Sequence, residues 1–288
     1  MKKNWGTIVS ICCFIILLGG MYSCGGRINS SESLFRAIEK KYNGRWFDHI
    51  KFCRTVKYFD NNEIVKTEKW ISEYKYPGQS IIKINHENSQ NGYLYRNDSV
   101  YIFENNKIAI SRKHKYDILI FCMDIYNIPH KNLNNSFTEL GFDMKKFHVA
   151  KNKNNGNTCY VLGAEKGDLT SDQIWFNTKN LLVEKVIKNV DDGIMETCYD
   201  NYINVSSIGW VNQNVSIKVN DEMYFLGSSY DIIIPDEQKR EILISDFLNN
   251  NLAIDNLLFE DFDNKYYYKC LETVSQIFKF DTTNLGKY

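Results

Sequence analysis

Proline is almost absent: three in 288 residues (Pro77, Pro129 and Pro235), which excludes a proline-rich linker. Neither sign of charge is in excess, with 35 basic and 35 acidic side chains. Non-specific nucleic-acid binding needs a cationic surface, so no nucleic-acid partner is expected. The five histidines (His49, His86, His114, His130 and His148) form no H-E-x-x-H or H-x-x-x-H pair. Zinc needs converging ligands, so no metal site is expected. There is no G-x-S-x-G elbow for a serine nucleophile and no glycine-rich phosphate cradle. No catalytic residue, metal or cofactor is therefore assigned, and the chain is read as a non-enzyme. Long hydrophobic runs are missing too, except for one near the start.

What is present is the composition of a packed domain: 43 % hydrophobic, 14 % aromatic and 24 % charged residues. Disorder, collagen and a multi-span membrane protein are excluded. The length suits one large all-β domain or two small ones. No repeat of fixed period and no composition break divides the chain, which favours one.

The exceptional run comes first. Lys2 and Lys3 precede an apolar stretch from Ile8 to Met21, too short for a span of about 20 residues. This is the n-region and h-region of a signal peptide. It ends at Met21-Tyr22-Ser23-Cys24, which resembles the lipobox of bacterial lipoproteins. The resemblance implies cleavage after residue 23 and acyl chains on Cys24. Gly25 lacks the acidic residue associated with inner-membrane retention in some lineages, so the outer membrane, facing the periplasm, is the expected location. Past the signal, Cys53, Cys122, Cys159, Cys198 and Cys270 are odd in number and show no C-x-x-C spacing. Most read as small buried hydrophobes, with one bridge left open.

A short helix is expected over residues 34–42, with Ser31 or Ser33 as N-cap and Asn43-Gly44 as its stop. No Glu or Gln follows either serine at the spacing of a capping box. From residue 45 to 112 come short β-rich runs: 45–59, 64–76, 80–85, 92–96, 100–104 and 107–110. Asn, Asp, Gly and Ser separate them, the punctuation of hairpins. Val100 and Ile102 beside Tyr101 and Phe103 make one strand apolar on both faces, which must then be covered on both. A lid follows. Residues 117–126 are apolar almost all round; strand is an alternative for so short a run, and helix is preferred because Asp117 suits a first turn and Asn127 and Pro129 end it. Further helices are expected at 133–140 and 143–149. A second set of strands spans 158–164, 173–177, 181–189, 195–204, 210–219 and 222–234. Residues 237–250 suit a helix, and the tail beyond is unassigned. Asp117 and Asp124 read as the polar edge of the lid helix, and Glu260, Asp261 and Asp263 as a solvated acidic face.

Several strings, in order, resemble the outer-membrane lipoprotein-sorting family of LolA/LolB-type carriers. They are Glu68-Lys69-Trp70, Tyr76-Pro77-Gly78, the run from Tyr95 to Tyr101, Asp124-Ile125-Tyr126 and Gly141-Phe142-Asp143. They continue with Val161 to Asp168, Gln173-Ile174-Trp175-Phe176 and Asn180-Leu181-Leu182. The resemblance covers about residues 45 to 234 and implies one large antiparallel sheet, curled into a half-open barrel with short helices as a lid. Under that lid it implies an apolar cavity for the acyl chains of lipids or lipoproteins, and an anchored chain is closer to the lipidated receptor than to the soluble shuttle. The division expected is a signal peptide at 1–23, a lipidated segment with a short helix at 24–44, the LolA/LolB-like β domain at 45–236 and a C-terminal extension at 237–288.

The physics is compatible with such a role. Burial of a chain of about sixteen carbons is worth roughly 12 kcal/mol before costs, at about 0.8 kcal/mol per CH₂. The residues expected to line the cavity are Trp70, Tyr95, Tyr101, Phe103, Ile118, Phe121, Ile125 and Trp175. The partners are then lipid acyl chains or lipoproteins, with the membrane reached through a lipidated Cys24 carrying chains such as palmitate. The competing reading is an envelope structural or glycan-binding lipoprotein whose aromatics form a platform or a solid core.

Overall fold

A computed structural model of the protein describes residues 27–96, 99–113, 122–190, 193–205 and 209–234. The signal peptide, Cys24, residues 117–121 of the expected lid helix (Ile118 and Phe121 among them) and the extension at 237–288 lie outside the described residues.

Helix α1 (Ser31–Tyr42) leads into six strands: β1 (His49–Asp60), β2 (Glu63–Lys75), β3 (Gln79–Ile84), β4 (Gly92–Arg96), β5 (Ser99–Glu104) and β6 (Lys107–Lys113). Helix α2 (His130–Glu139) separates them from seven more. These are β7 (Phe147–Lys151), β8 (Thr158–Leu162), β9 (Gln173–Asn177), β10 (Val183–Val190), β11 (Gly193–Val205), β12 (Gly209–Val219) and β13 (Glu222–Ile233). All thirteen form one antiparallel sheet in the order β6-β5-β4-β3-β2-β1-β13-β12-β11-β10-β9-β8-β7. The fold is therefore mainly β, with the sheet open between its edge strands β6 and β7, as expected.

The hairpins form where the sequence places them for a backbone reason. Asn61-Asn62, Asn105-Asn106 and Asn220-Asp221 all adopt positive φ. That conformation matches the right-handed twist of two flanking strands, and Asn and Asp tolerate it best among non-glycine residues.

Helix α1 buries Leu34, Phe35, Ile38 and Tyr42, one stripe at helical spacing. Its cap differs from expectation. Ser30 is the N-cap: its hydroxyl accepts from the Ser33 amide, and the Ser33 hydroxyl accepts from the Ser30 amide. A serine at the third helical position thus completes a capping box that the Glu/Gln pattern misses. Phe35 stacks on Phe137 of α2 with ring centroids 5.1 Å apart.

A second correction concerns residues 143–149. They form a turn followed by β7, because residues 147–151 add to the free edge of β8 with Phe147 opposite Leu162 and Lys151 opposite Thr158. Edge pairing outweighs the weak helical signal of so short a run.

On the face opposite the main core, β8 to β11 carry a polar cluster. Glu184 accepts from the side chains of Asn152 (2.9 Å), Asn155 (3.1 Å), Asn157 (2.6 Å) and Asn177 (2.6 Å). It ties the β7–β8 loop to the sheet. Cys159 donates to the same carboxylate at 3.2 Å, and Cys198 donates to Glu196 at 3.3 Å. Cys53, Cys122, Cys159 and Cys198 are all free thiols. Burial, then the adjacent Glu184, holds the Cys159 thiol far above its usual range, and burial with Glu196 pushes Cys198 up to about 12. Since the thiolate is the nucleophile, both should resist iodoacetamide at pH 8 in the folded protein and react once it is unfolded. Peptide mass mapping checks this, and rapid alkylation of either in the native state would contradict it.

Candidate functional site

The two terminal halves of the chain meet where β1 pairs with β13. Along β1 alternate residues Phe52, Arg54, Val56 and Tyr58 share one face, since strand side chains alternate. Arg54 lies opposite Trp70 of β2 and Ser229 of β13, and Phe52 opposite Ser72. Continuing across β2 to β4, Ser72 faces Ile82 and Ile82 faces Tyr93, so all of them belong to that same face.

Over this face lies a cavity of about 120 Å³, inside about 1240 Å³ of atom-free space that includes its open mouth. Its floor is Phe52, Arg54 and Tyr58 of β1, Trp70 and Ser72 of β2, Ser80 and Ile82 of β3, and Tyr93 and Tyr95 of β4. From the other half come Tyr199 and Tyr202 of β11, Val211, Val215 and Ile217 of β12, and Tyr224 and Phe225 of β13. Trp46 and Phe47, ahead of β1, close one side, and Cys122, Met123 and Tyr126 form the roof. Aromatic rings dominate. Arg54 is the one Arg, Lys, Asp or Glu among the described lining residues.

The wall is held in place by polar tips that turn away from the space. Glu68, almost fully buried, accepts from the Tyr58 hydroxyl at 3.0 Å and from Trp70 Nε1 at 2.9 Å. Lys66 balances its charge at 2.6 Å. Tyr202 donates to the Val183 carbonyl at 2.6 Å, while the Tyr126 hydroxyl accepts from the Val183 amide at 2.9 Å. The rings of Tyr58, Trp70, Tyr126 and Tyr202 thus face the cavity with their polar ends bonded elsewhere. Trp70 packs against Tyr93 and Phe225, each with centroids 5.8 Å apart. Tyr126 lies 4.0 Å from the Trp46 ring.

The roof is fastened by Asp124. Residues 122–124 are helical, and Asp124 is buried, not the polar edge that the spacing suggested. Its Oδ1 accepts from the Tyr74 hydroxyl and from the Gly78 amide at 3.2 Å, while Oδ2 has no partner among the described residues. Burial pushes this carboxyl up to about 6 against the lowering effect of those two bonds. The carboxylate therefore joins the roof to β2 and to the turn before β3.

Among the residues expected in the cavity, the structure brings Trp70 and Tyr95 together on its wall. Ile125 is fully buried in the main core beneath the roof and does not reach the space. Tyr101 and Phe103 lie on the opposite face of the sheet, in a small cluster with Ile81, Leu94 and Ile108. The reason is register: Leu94 pairs with Tyr101 while Tyr95 pairs with Val100. Trp175 is likewise on the far face, with Cys159 and Val161. Ile118 and Phe121 lie outside the described residues. Sequence reasoning missed Arg54, Tyr58, Tyr93, Trp46 and the β11–β13 residues; the alternation Phe52, Arg54, Val56, Tyr58 was the signal available for the first two.

No family model matches the chain, and no curated protein matches it. Solved structures do. One is a LolA superfamily protein from Nitrosomonas europaea, 11 % identical with a TM-score of 0.45, covering 72 % of this chain and 94 % of that one. Another is a protein domain from Vibrio parahaemolyticus described as outer membrane lipoprotein-sorting, at 12 % identity and a TM-score of 0.49, covering 77 % and 97 %. A DUF1329 family protein from Desulfovibrio piger gives 11 % and 0.46 over 74 % of this chain and 95 % of that. At these identities and scores the likeness is one of outline, and what the cavity holds has to be argued from the residues around it. No helix among the described residues is long and apolar enough to cross a membrane.

Proposed function

We propose that the protein is a lipoprotein of the bacterial envelope, anchored in the outer membrane through lipidated Cys24, whose cavity binds lipid or lipoprotein acyl chains. The observation that carries this reading is the cavity itself: an aromatic wall on one face of the sheet, roofed by residues 122–126. Apolar surface left open to water is unfavourable at about 25 cal/mol per Å², and an acyl chain removes it. Trp70 and Tyr95, expected from the sequence, are wall residues in this reading, joined by Trp46, Phe52, Tyr93 and Phe225. A role in lipoprotein sorting needs reversible loading, for which the short roof is the element that moves. Two or more acyl chains on Cys24 give stable anchoring where one does not.

The test is native mass spectrometry of the Cys24→Ala protein followed by lipid extraction and uptake of a fluorescent fatty acid. Wild-type cavity residues should give co-purified lipid and uptake. Ser72→Phe places a ring in the space between Phe52 and Ile82, and should remove both while leaving the circular dichroism spectrum unchanged. A lipid-free mass with no uptake by the unaltered cavity would instead favour a glycan-binding or structural envelope lipoprotein.

A further inference from the structure

Arg54 is out of place in an acyl-chain cavity. It sits at the centre of the sheet, on a face otherwise given over to rings, and only 8 % of it is exposed. Its stem is threaded past Gly227, where a Cβ would lie 2.6 Å from the Arg54 Cδ. Any residue but glycine at that position would push the guanidinium off its course. Nε donates to Ser229 Oγ at 3.0 Å, and the guanidinium carbon lies 5.1 Å from the Phe52 ring centroid. These contacts fix one edge and one face of the group. Its two terminal nitrogens make no hydrogen bond and no ion pair among the described residues.

Buried charges in proteins are paired, because removing an ion from water costs several kcal/mol unless an opposite charge is met. Arg54 has no such partner: no Asp or Glu is among the described residues that line the cavity. Burial pulls its pKa down to about 10 against the raising effect of nearby Tyr199, so at neutral pH it remains a cation. A second donor is also left over, since Trp46 Nε1 is buried on the same lining without an acceptor among the described residues. Two donors on the lining, Arg54 and Trp46 Nε1, thus stand in a wall that carries no carboxylate among the described residues.

Resting on the reading that the cavity takes an acyl chain, we propose that its ligand is an amphiphile with an anionic head group, whose carboxylate or phosphate oxygens accept from the free edge of Arg54. The planar fork of arginine suits both oxyanions, and the aromatic wall on either side takes the chain. Arg54 is then the residue that selects ligands: an uncharged lipid leaves the cation unpaired, and an anionic one neutralises it.

The experiment uses the Cys24→Ala protein, stripped of lipid, and displacement of a fluorescent fatty acid by three probes of equal chain length. These are palmitate, hexadecyl phosphate and the uncharged monopalmitoylglycerol. Both anions should bind about ten- to a hundredfold more tightly than the neutral probe, the span expected for hydrogen bonds to a charged group. Arg54→Met keeps the volume, is expected to fold, and should abolish that preference while retaining the neutral probe. Arg54→Lys keeps the charge but loses the fork and should retain part of it. Inorganic phosphate alone should not displace the fluorophore; if it does at the same concentrations as hexadecyl phosphate, a free oxyanion is the ligand and the proposal falls. Equal affinity for charged and neutral probes, or a preference that survives Arg54→Met, would also overturn it while leaving the cavity reading intact. Failure of all three probes to bind would overturn the cavity reading itself.

Discussion

Replacing Phe137 by alanine will lower the unfolding free energy by about 3–5 kcal/mol, the range for removing a fully buried phenylalanine. Phe137 is 0 % exposed. It stacks on Phe35 at 5.1 Å, meets Phe142 edge-on at 5.5 Å and reaches Phe176 of the sheet at 6.4 Å. Three elements therefore lose contact together: α1, the turn after α2, and β9. The void could close only by moving α2 toward the sheet, against Leu133, which is itself fully buried. Domains of ordinary size have about 5–15 kcal/mol in hand, so the change removes a large share. Urea unfolding should show a lower midpoint with an unchanged slope, and Phe137→Leu should recover most of the loss. A change below about 1 kcal/mol would mean that the helices are not part of the cooperative core.

Asp124→Asn will change how stability depends on pH. The Asp124 carboxyl is held up to about 6 in the folded protein by burial, against an ordinary aspartate value of 3.8. The native state thus binds this proton more tightly than the unfolded chain does. Stability from the group is full below about pH 4, declines as pH rises through 6, and is lost above. A shift of that size corresponds to about 3 kcal/mol. Asparagine is neutral throughout, and its Oδ1 can still accept from Tyr74 and Gly78. Its amide nitrogen inherits the unpartnered position of Oδ2, which takes a constant amount from the variant at every pH. The difference between variant and wild type should therefore swing in favour of the variant by about 3 kcal/mol between pH 3 and pH 8. Parallel stability curves from urea titrations across that range would show that Asp124 is not the group responsible.

The strands were legible because their code is local. Asn61-Asn62, Asn105-Asn106 and Asn220-Asp221 mark left-handed turns, and alternation between them marks strands. Faces were less legible. Tyr95 and Tyr101 look alike in the sequence, yet only Tyr95 reaches the cavity, since the β4–β5 register puts Tyr101 beside Leu94 on the other side. Alternation tells which residues share a face, not which face is inside. Arg54 was missed for a related reason: a charged residue within a strand reads as solvent-facing, and only the pairing with Trp70 and Ser229 shows it pointing inward. The Ser30–Ser33 cap departs from the expected Ser31 or Ser33 because the helix starts at Ser31, and its serine-to-serine reciprocity lies outside the Glu/Gln pattern of a capping box.

The strand order has an effect on how the molecule can be cut. β1 and β13, first and last of the described strands, are hydrogen-bonded neighbours in the middle of the sheet, whereas the two outer strands are consecutive among them. Trimming from the C-terminal end thus does not shorten the sheet at its margin. A truncation that takes β13 splits the sheet along its midline and bares β1 and β12, two long strands with apolar residues, as raw edges open to pairing with other copies. By the same geometry, a circular permutant with new ends between β6 and β7 and a linker joining β13 to β1 would turn every strand connection into a nearest-neighbour one. Such a chain would have lower contact order and should fold faster than the natural one.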